Sequence, residues 1–197
     1  MSRHLFPESF LLSYNPSHWS NENETKKLIS RVLVPYFENK KKQLKLPSSQ
    51  KSLVIWDDFR GHKTDAVMAL CEQNNILVAQ IPPNFTHLLS PLDLTVNKKL
   101  KGLEQEDFCR YYSTALANTI RSNPGADISD LEVDTKLSTL KPLHAKSITR
   151  SFHYFNSDGR SIMINGWRAA GITAAVARCR NDNWQAILDP FARISID

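Results

Sequence analysis

Apolar residues fall along the chain in two registers. Leu53-Val54-Ile55-Trp56 and Ile76-Leu77-Val78-Ala79-Gln80-Ile81 are short, near-continuous runs, the pattern of strands covered on both faces. Between them, Thr64 and Asp65 open a helix packed through Ala66, Val67, Ala69, Leu70 and Cys71 and stopped at Asn74-Asn75. A strand, a short helix and a second strand make a β-α-β unit with a parallel pair. The fold class is therefore α/β. Residues 10–14 read as one more short strand, broken by Asn15-Pro16.

The second register is helical. Ser20 or Asn21 caps a helix with Glu22 and Glu24 in its first turn and Leu28, Ile29, Val32 and Leu33 as its stripe. Pro35 interrupts or kinks it, and Lys40-Lys41-Lys42 closes it, more simply a solvated helix end than a DNA contact. A longer helix opens at Ser90-Pro91, where proline suits the first helical position, and runs to about Leu116 on Leu92, Val96, Leu100 and Leu103. Residues 121–130 read as a loop, Leu137 to Phe155 as helix and Asp158-Gly159 as a turn. An Asn165-Gly166 break then precedes a short helix holding Trp167, Ala169 and Ala170. The pattern divides into a core over residues 1–120, a helical C-terminal part of the same domain over 121–180 and a loosely structured tail over 181–197.

At 197 residues and 41% apolar, the chain can bury a core of its own. The formal net charge of +5 suits an anionic partner such as nucleic acid without requiring one. Cys71, Cys109 and Cys179 are far apart and lack zinc spacing, so buried thiols in a reducing compartment are the plain reading. No run approaches the roughly eighteen apolar residues of a membrane span, and no signal peptide is legible. An intracellular protein without a membrane partner is expected.

Candidate chemistry gathers at two acidic positions. Asp57 closes the first buried strand, and ligands of parallel α/β sheets bind at the carboxyl ends of strands. Asp93 lies at the third position of the helix that Pro91 opens. Carboxylates from separate elements can converge on a hard divalent cation. Two such ions, roughly 3.5–4 Å apart, can hold the attacking and leaving oxygens of a phosphodiester displacement. Each carboxylate also has an ordinary explanation: Ser90 and Asp93 resemble a capping box, and Asp57-Asp58 suits a strand-end turn. His62 could face the same centre as Asp57 and His87 lies near Asp93 in sequence, although both suit ordinary polar loops. Arg60, Lys63, Lys98, Lys99 and Lys101 are candidates for a DNA backbone, or else solvated faces.

Longer motifs add a resemblance. Residues 53–64, Leu-Val-Ile-Trp-Asp-Asp-Phe-Arg-Gly-His-Lys-Thr, resemble the second-carboxylate motif of the DDE superfamily endonucleases of pogo, Tigger and jerky-like transposases. Residues 82–101, Pro-Pro-Asn-Phe-Thr-His-Leu-Leu-Ser-Pro-Leu-Asp-Leu-Thr-Val-Asn-Lys-Lys-Leu-Lys, resemble the third. The stretches from Tyr14 to Ser20, Lys141 to Ala145 and Gly166 to Ile172 match flanking segments in the same order. The resemblance implies a ribonuclease H-like fold, Mg2+ or Mn2+ as cofactor, DNA as partner and a nuclear location. It implies metal-dependent phosphodiester cleavage and strand transfer, with Asp57 and Asp93 as the second and third ligands and Asp58, where Asn is frequent in the family, at most in a supporting role.

The pattern also departs from the family. Its first Asp lies on a strand upstream of the segment that Met1 opens, Ser90 stands where Gln is common, and the usual helix-turn-helix region is not legible. The expectation is a partial fold lacking its first strands, with exposed strand edges and weak or absent metal binding. Catalysis by this chain alone is not expected. The alternative is a domesticated, non-catalytic module that binds DNA or protein, and self-association is left open.

Overall fold

The computed structural model describes residues 3–16 and 19–178. They form two compact units. One comprises the described residues of 11–90 and 168–178, the other those of 3–10 and 91–167.

In the first unit, helix α1 (Glu22–Leu28) is capped by Asn21, whose side chain accepts from the Glu24 N–H, with Glu22 and Glu24 in its first turn. A π-turn over Ile29–Leu33 then leads into α2 (Val34–Gln43). Pro35 explains the turn. It has no N–H for the carbonyl four residues back, and its ring crowds that carbonyl. The chain widens instead, and the Val34 N–H bonds to the Ile29 carbonyl, five residues back. Within the lysine run, Lys41 is buried, its ammonium 2.9 Å from Glu38 Oε1 and 3.1 Å from the Ser48 carbonyl. It braces the helix end rather than lying in solvent.

Strand β1 (Ser52–Trp56) and strand β2 (Ile76–Gln80) pair in parallel, Ser52 opposite Ile76 and Trp56 opposite Gln80. Helix α3 (Asp65–Gln73) crosses between them, capped by Thr64. Its C-terminal Asn75 takes φ 55°, the left-handed conformation that asparagine tolerates, so that β2 can start at once. Ile29, Trp56, Val67, Cys71 and Ile76 form the core, with Phe37, Val54, Leu70 and Val78 packed against it. The parallel pair follows the sequence pattern, but burial falls short of it. Leu53, Val54 and Ile55 are half-buried, because the sheet among the described residues has two strands and leaves its outer edges unpaired. After β2, Asn84 at φ 65° turns the chain into α4 (Thr86–Leu89).

In the second unit, the helix opening at Pro91 passes through another π-turn, Leu92–Val96, before α5 (Asn97–Ser122). The wider turn takes Leu92 out of the expected inner stripe, leaving it 57% exposed, while Leu103 is buried. Helix α5 runs past the expected end at Leu116 and stops where Asn123 bonds back to the Thr119 carbonyl, just before Pro124 and a Gly125 at φ 89°. Helix α6 (Leu137–Asn156) is tied to α5 by Arg150, which donates to the Leu103 carbonyl at 2.7 Å and faces Asp107 at 3.0 Å.

Residues 10–14 are not a strand. Phe10 stacks edge-on against Phe152 at 4.8 Å, and 11–14 joins no ladder among the described residues. A β pattern with no neighbour to pair with stays irregular.

The expected break at Asn165-Gly166 is likewise overturned: both lie inside α7 (Arg160–Ala169). Gly171, at φ 73°, separates α7 from α8 (Ile172–Arg178), which belongs with the first unit. Cys71 is buried, and burial pushes its thiol pKa up, as for an inert core thiol. Cys109 corrects the expectation, being exposed on the outer face of α5. Cys179 and the tail over 181–197 lie outside the described residues. No helix among the described residues is long and apolar enough to cross a membrane.

Candidate active site

Asp57 leaves the carboxyl end of β1. The ladder continues one step beyond the strand, with the Ile81 N–H donating to the Trp56 carbonyl at 2.9 Å, so the point of departure is fixed. The chain then folds back on itself. The Phe59 N–H donates to Asp57 Oδ1 at 3.3 Å, and the His62 N–H donates to the Phe59 carbonyl at 2.9 Å. Gly61 is buried in this turn. A Cβ there would stand 2.5 Å from Phe59 Cε1 and 3.2 Å from the Asn21 backbone, which only glycine avoids.

The turn brings His62 to Asp57. Nδ1 lies 3.1 Å from Asp57 Oδ1, near enough for an imidazolium–carboxylate pair though off-line for a hydrogen bond. The ring stacks on Trp56 at 4.6 Å and 17° and meets Phe59 edge-on at 5.2 Å. Two aromatic walls therefore fix the imidazole beside a carboxylate that is itself about half exposed. Asp58 pairs with Lys63. Arg60 is exposed. Behind the turn, the Lys26 ammonium first, then the Thr64 hydroxyl, hold the Glu22 carboxyl below the usual glutamate range. This links α1 to the start of α3.

Asp93 sits in the second unit, exposed on the π-turn that precedes α5. Its Oδ1 accepts from Asn97 Nδ2 at 2.8 Å. Thr95 Oγ1 lies 3.2 Å from the Pro91 carbonyl and 3.0 Å from the Ile162 carbonyl. Lys98 and Lys101 are exposed, whereas Lys99 holds its ammonium 5.2 Å over the Tyr154 ring. His87 is exposed on α4. Thus Asp57, His62, Asp58 and Lys63 come together in one unit, and Asp93 with Lys98, Lys99 and Lys101 belongs to the other. Trp56, Phe59 and Gly61 frame the first carboxylate, and Thr95 and Asn97 the second; the sequence reading assigned none of these roles. Asn97 was findable, since it follows Asp93 at the i, i+4 spacing of a helix face.

Residues 13–148 match the DDE superfamily endonuclease family, and the chain belongs to it. No curated protein and no solved structure matches the chain. Members of this family use divalent metal ions. Oxygen donors such as Asp57 and Asp93 suit magnesium or manganese in kind. Among the described residues no three His, Cys, Asp or Glu side chains form a group able to hold a metal.

Proposed function

We propose that this chain carries the acidic face of a DNA-directed DDE endonuclease of the pogo, Tigger and jerky-like kind, with Asp57 and Asp93 as its metal-ligating carboxylates. The observation that carries the reading is the family match, which spans both residues. The position of Asp57 at the carboxyl end of a parallel strand supports it, since that is where α/β sheets present ligand-binding groups. A ribonuclease H-like sheet, magnesium or manganese as the ion, and action on nuclear DNA belong to the same reading.

The ion, when bound, stabilises charge on the phosphodiester oxygens. The chain's own residues supply the rest. Asp57 and Asp93 offer carboxylate oxygens. His62, fixed by Trp56 and Phe59, limits the orientations open to Asp57. Arg60, Lys98 and Lys101 are exposed cations for the DNA backbone. Lys63 and Lys99 have partners inside the protein and are weaker candidates.

The exposed cations Arg60, Lys98 and Lys101 serve a second reading equally well, a DNA- or protein-binding module without catalysis. Nicking of supercoiled DNA separates the two. With the family's first carboxylate supplied, the first predicts nicking with magnesium or manganese that is lost with EDTA, with Asp57→Asn and with Asp93→Asn. DNA binding without nicking under either metal selects the second. Neither binding nor nicking removes both, and nicking that survives both substitutions removes the assigned ligands.

A further inference from the structure

We infer that helix α7, beyond the family-matched segment, is a positioning element for Asp93, acting through Gly166 and Thr95. The inference rests on the reading of Asp93 as a ligand. Asp93 lies in a π-turn closed by the Asn97 N–H to the Leu92 carbonyl, five residues back. Such a turn contains one residue more than an α-turn. Closing it to an α-turn would swing Asp93 by about one residue's rotation, roughly 100°, around the axis. The turn therefore needs a reason to stay open.

Helix α7 provides it. The Thr95 hydroxyl has one proton and two carbonyls in reach, and the shorter approach, 3.0 Å, is to Ile162 on α7 rather than the 3.2 Å to Pro91 in its own turn. The approach is this close because Gly166 has no side chain. A Cβ there would stand 2.5 Å from the Pro91 carbonyl oxygen, 2.7 Å from Thr95 Oγ1 and 3.2 Å from the Pro91 carbonyl carbon. Two of these three neighbours are backbone atoms, which cannot rotate away. Gly166 thus meets Pro91 and Thr95, and Ile162 meets Thr95, so the two ends of the stretch from Pro91 to Thr95 are held and Asp93 is carried between them. The Asn97 amide, 2.8 Å from Asp93 Oδ1, then fixes the carboxylate on the turn so held. The family match ends at residue 148 and α7 starts at Arg160, so the segment that orients this carboxylate is not part of the motif that contains it.

The test compares the full chain with Gly166→Ala, Thr95→Val and Thr95→Ser. Thr95→Val keeps the branched shape and loses the donor; Thr95→Ser keeps the donor. Two readouts are taken beside the melting temperature: the NMR signals of the Asn97 side-chain amide without metal, and the affinity for Mn2+ from broadening of the amide signals of residues 92–97. The inference predicts that Gly166→Ala and Thr95→Val move the Asn97 signals and weaken Mn2+ binding at least about tenfold, as loss of a supporting group around a ligand does. Thr95→Ser stays at wild type in both. A lower melting temperature with unmoved Asn97 signals and unchanged Mn2+ affinity makes α7 a packing element only and overturns the inference. If Asp93→Asn leaves Mn2+ broadening unchanged, the ligand reading fails, while the metal-free Asn97 signals still decide whether α7 orients the turn. Should Gly166→Ala not fold, Thr95→Val against Thr95→Ser decides alone.

Discussion

Asp57 and Asp93 are held by opposite means. The frame of Asp57 is local: Trp56, Phe59, Gly61 and His62 all lie within five residues of it, behind a strand whose last residue belongs to the core. The frame of Asp93 is distant, since Thr95 reaches a carbonyl 67 positions along the chain. A local frame survives as a motif and can be read as one. A distant frame leaves in the sequence only a threonine and a glycine with no visible connection. The difference also predicts sensitivity: the Asp57 loop fails with the core beneath it, and the Asp93 turn fails with its clamp.

The largest expected effect is at the anchor of the local frame. Trp56 is 8% exposed in the core and stacks on His62. Trp56→Ala is expected to cost about 3–5 kcal/mol, by transfer and cavity effects together. Urea unfolding followed by circular dichroism measures it, and a cost below about 1 kcal/mol would mean the loop does not stand on the core. A smaller effect separates two glycines, one in each unit. Gly61→Ala puts a methyl against Phe59 and the Asn21 backbone and is expected to destabilise by about 1–3 kcal/mol. Gly102→Ala on α5 meets nothing within 4 Å and is expected to stabilise by about 0.5–1 kcal/mol through helix propensity. The same unfolding curves check both, and equal costs would erase the contrast.

Smallest is a pH effect in the first unit. The Lys26 ammonium and Thr64 hydroxyl lower the Glu22 pKa, and the Lys27 ammonium and Ser13 hydroxyl lower that of Glu24. The unfolded chain therefore binds these protons at higher pH than the folded one. Their stabilisation is complete above the ordinary glutamate pKa and is lost as pH falls through the lowered folded values. Urea midpoints should decline below about pH 5, and the double substitution Glu22→Gln, Glu24→Gln should flatten that decline. A decline of equal steepness in the double variant would assign it elsewhere.

These contrasts account for what the sequence could and could not show. The β-α-β pair was legible because Leu53–Trp56 and Ile76–Ile81 are continuous apolar runs at strand length, and capping by Asn21 and Thr64 follows from side-chain chemistry. The two π-turns were not, because a π-turn depends on whether the chain finds better bonds by widening. Pro35 made one such turn a visible kink, while the turn at Asp93 coincides with a contact to α7 made far along the chain. Gly166 conceals its place for the same reason. Glycine commonly ends helices, and only the carbonyl of Pro91 against it explains its place inside one. The exposed Leu92 shows how a stripe drawn at constant helical spacing drifts once the turn widens, and the exposed Cys109 shows that residue type alone does not set burial.

Whether Asp57 and Asp93 serve one cation is tested most directly by Mn2+ titration of four full-length chains: wild type, Asp57→Asn, Asp93→Asn and the double variant. Two ligands of one ion are thermodynamically coupled, so each single substitution should lose nearly as much affinity as both together. Losses that simply add, or wild-type affinity retained by either single variant, would contradict it.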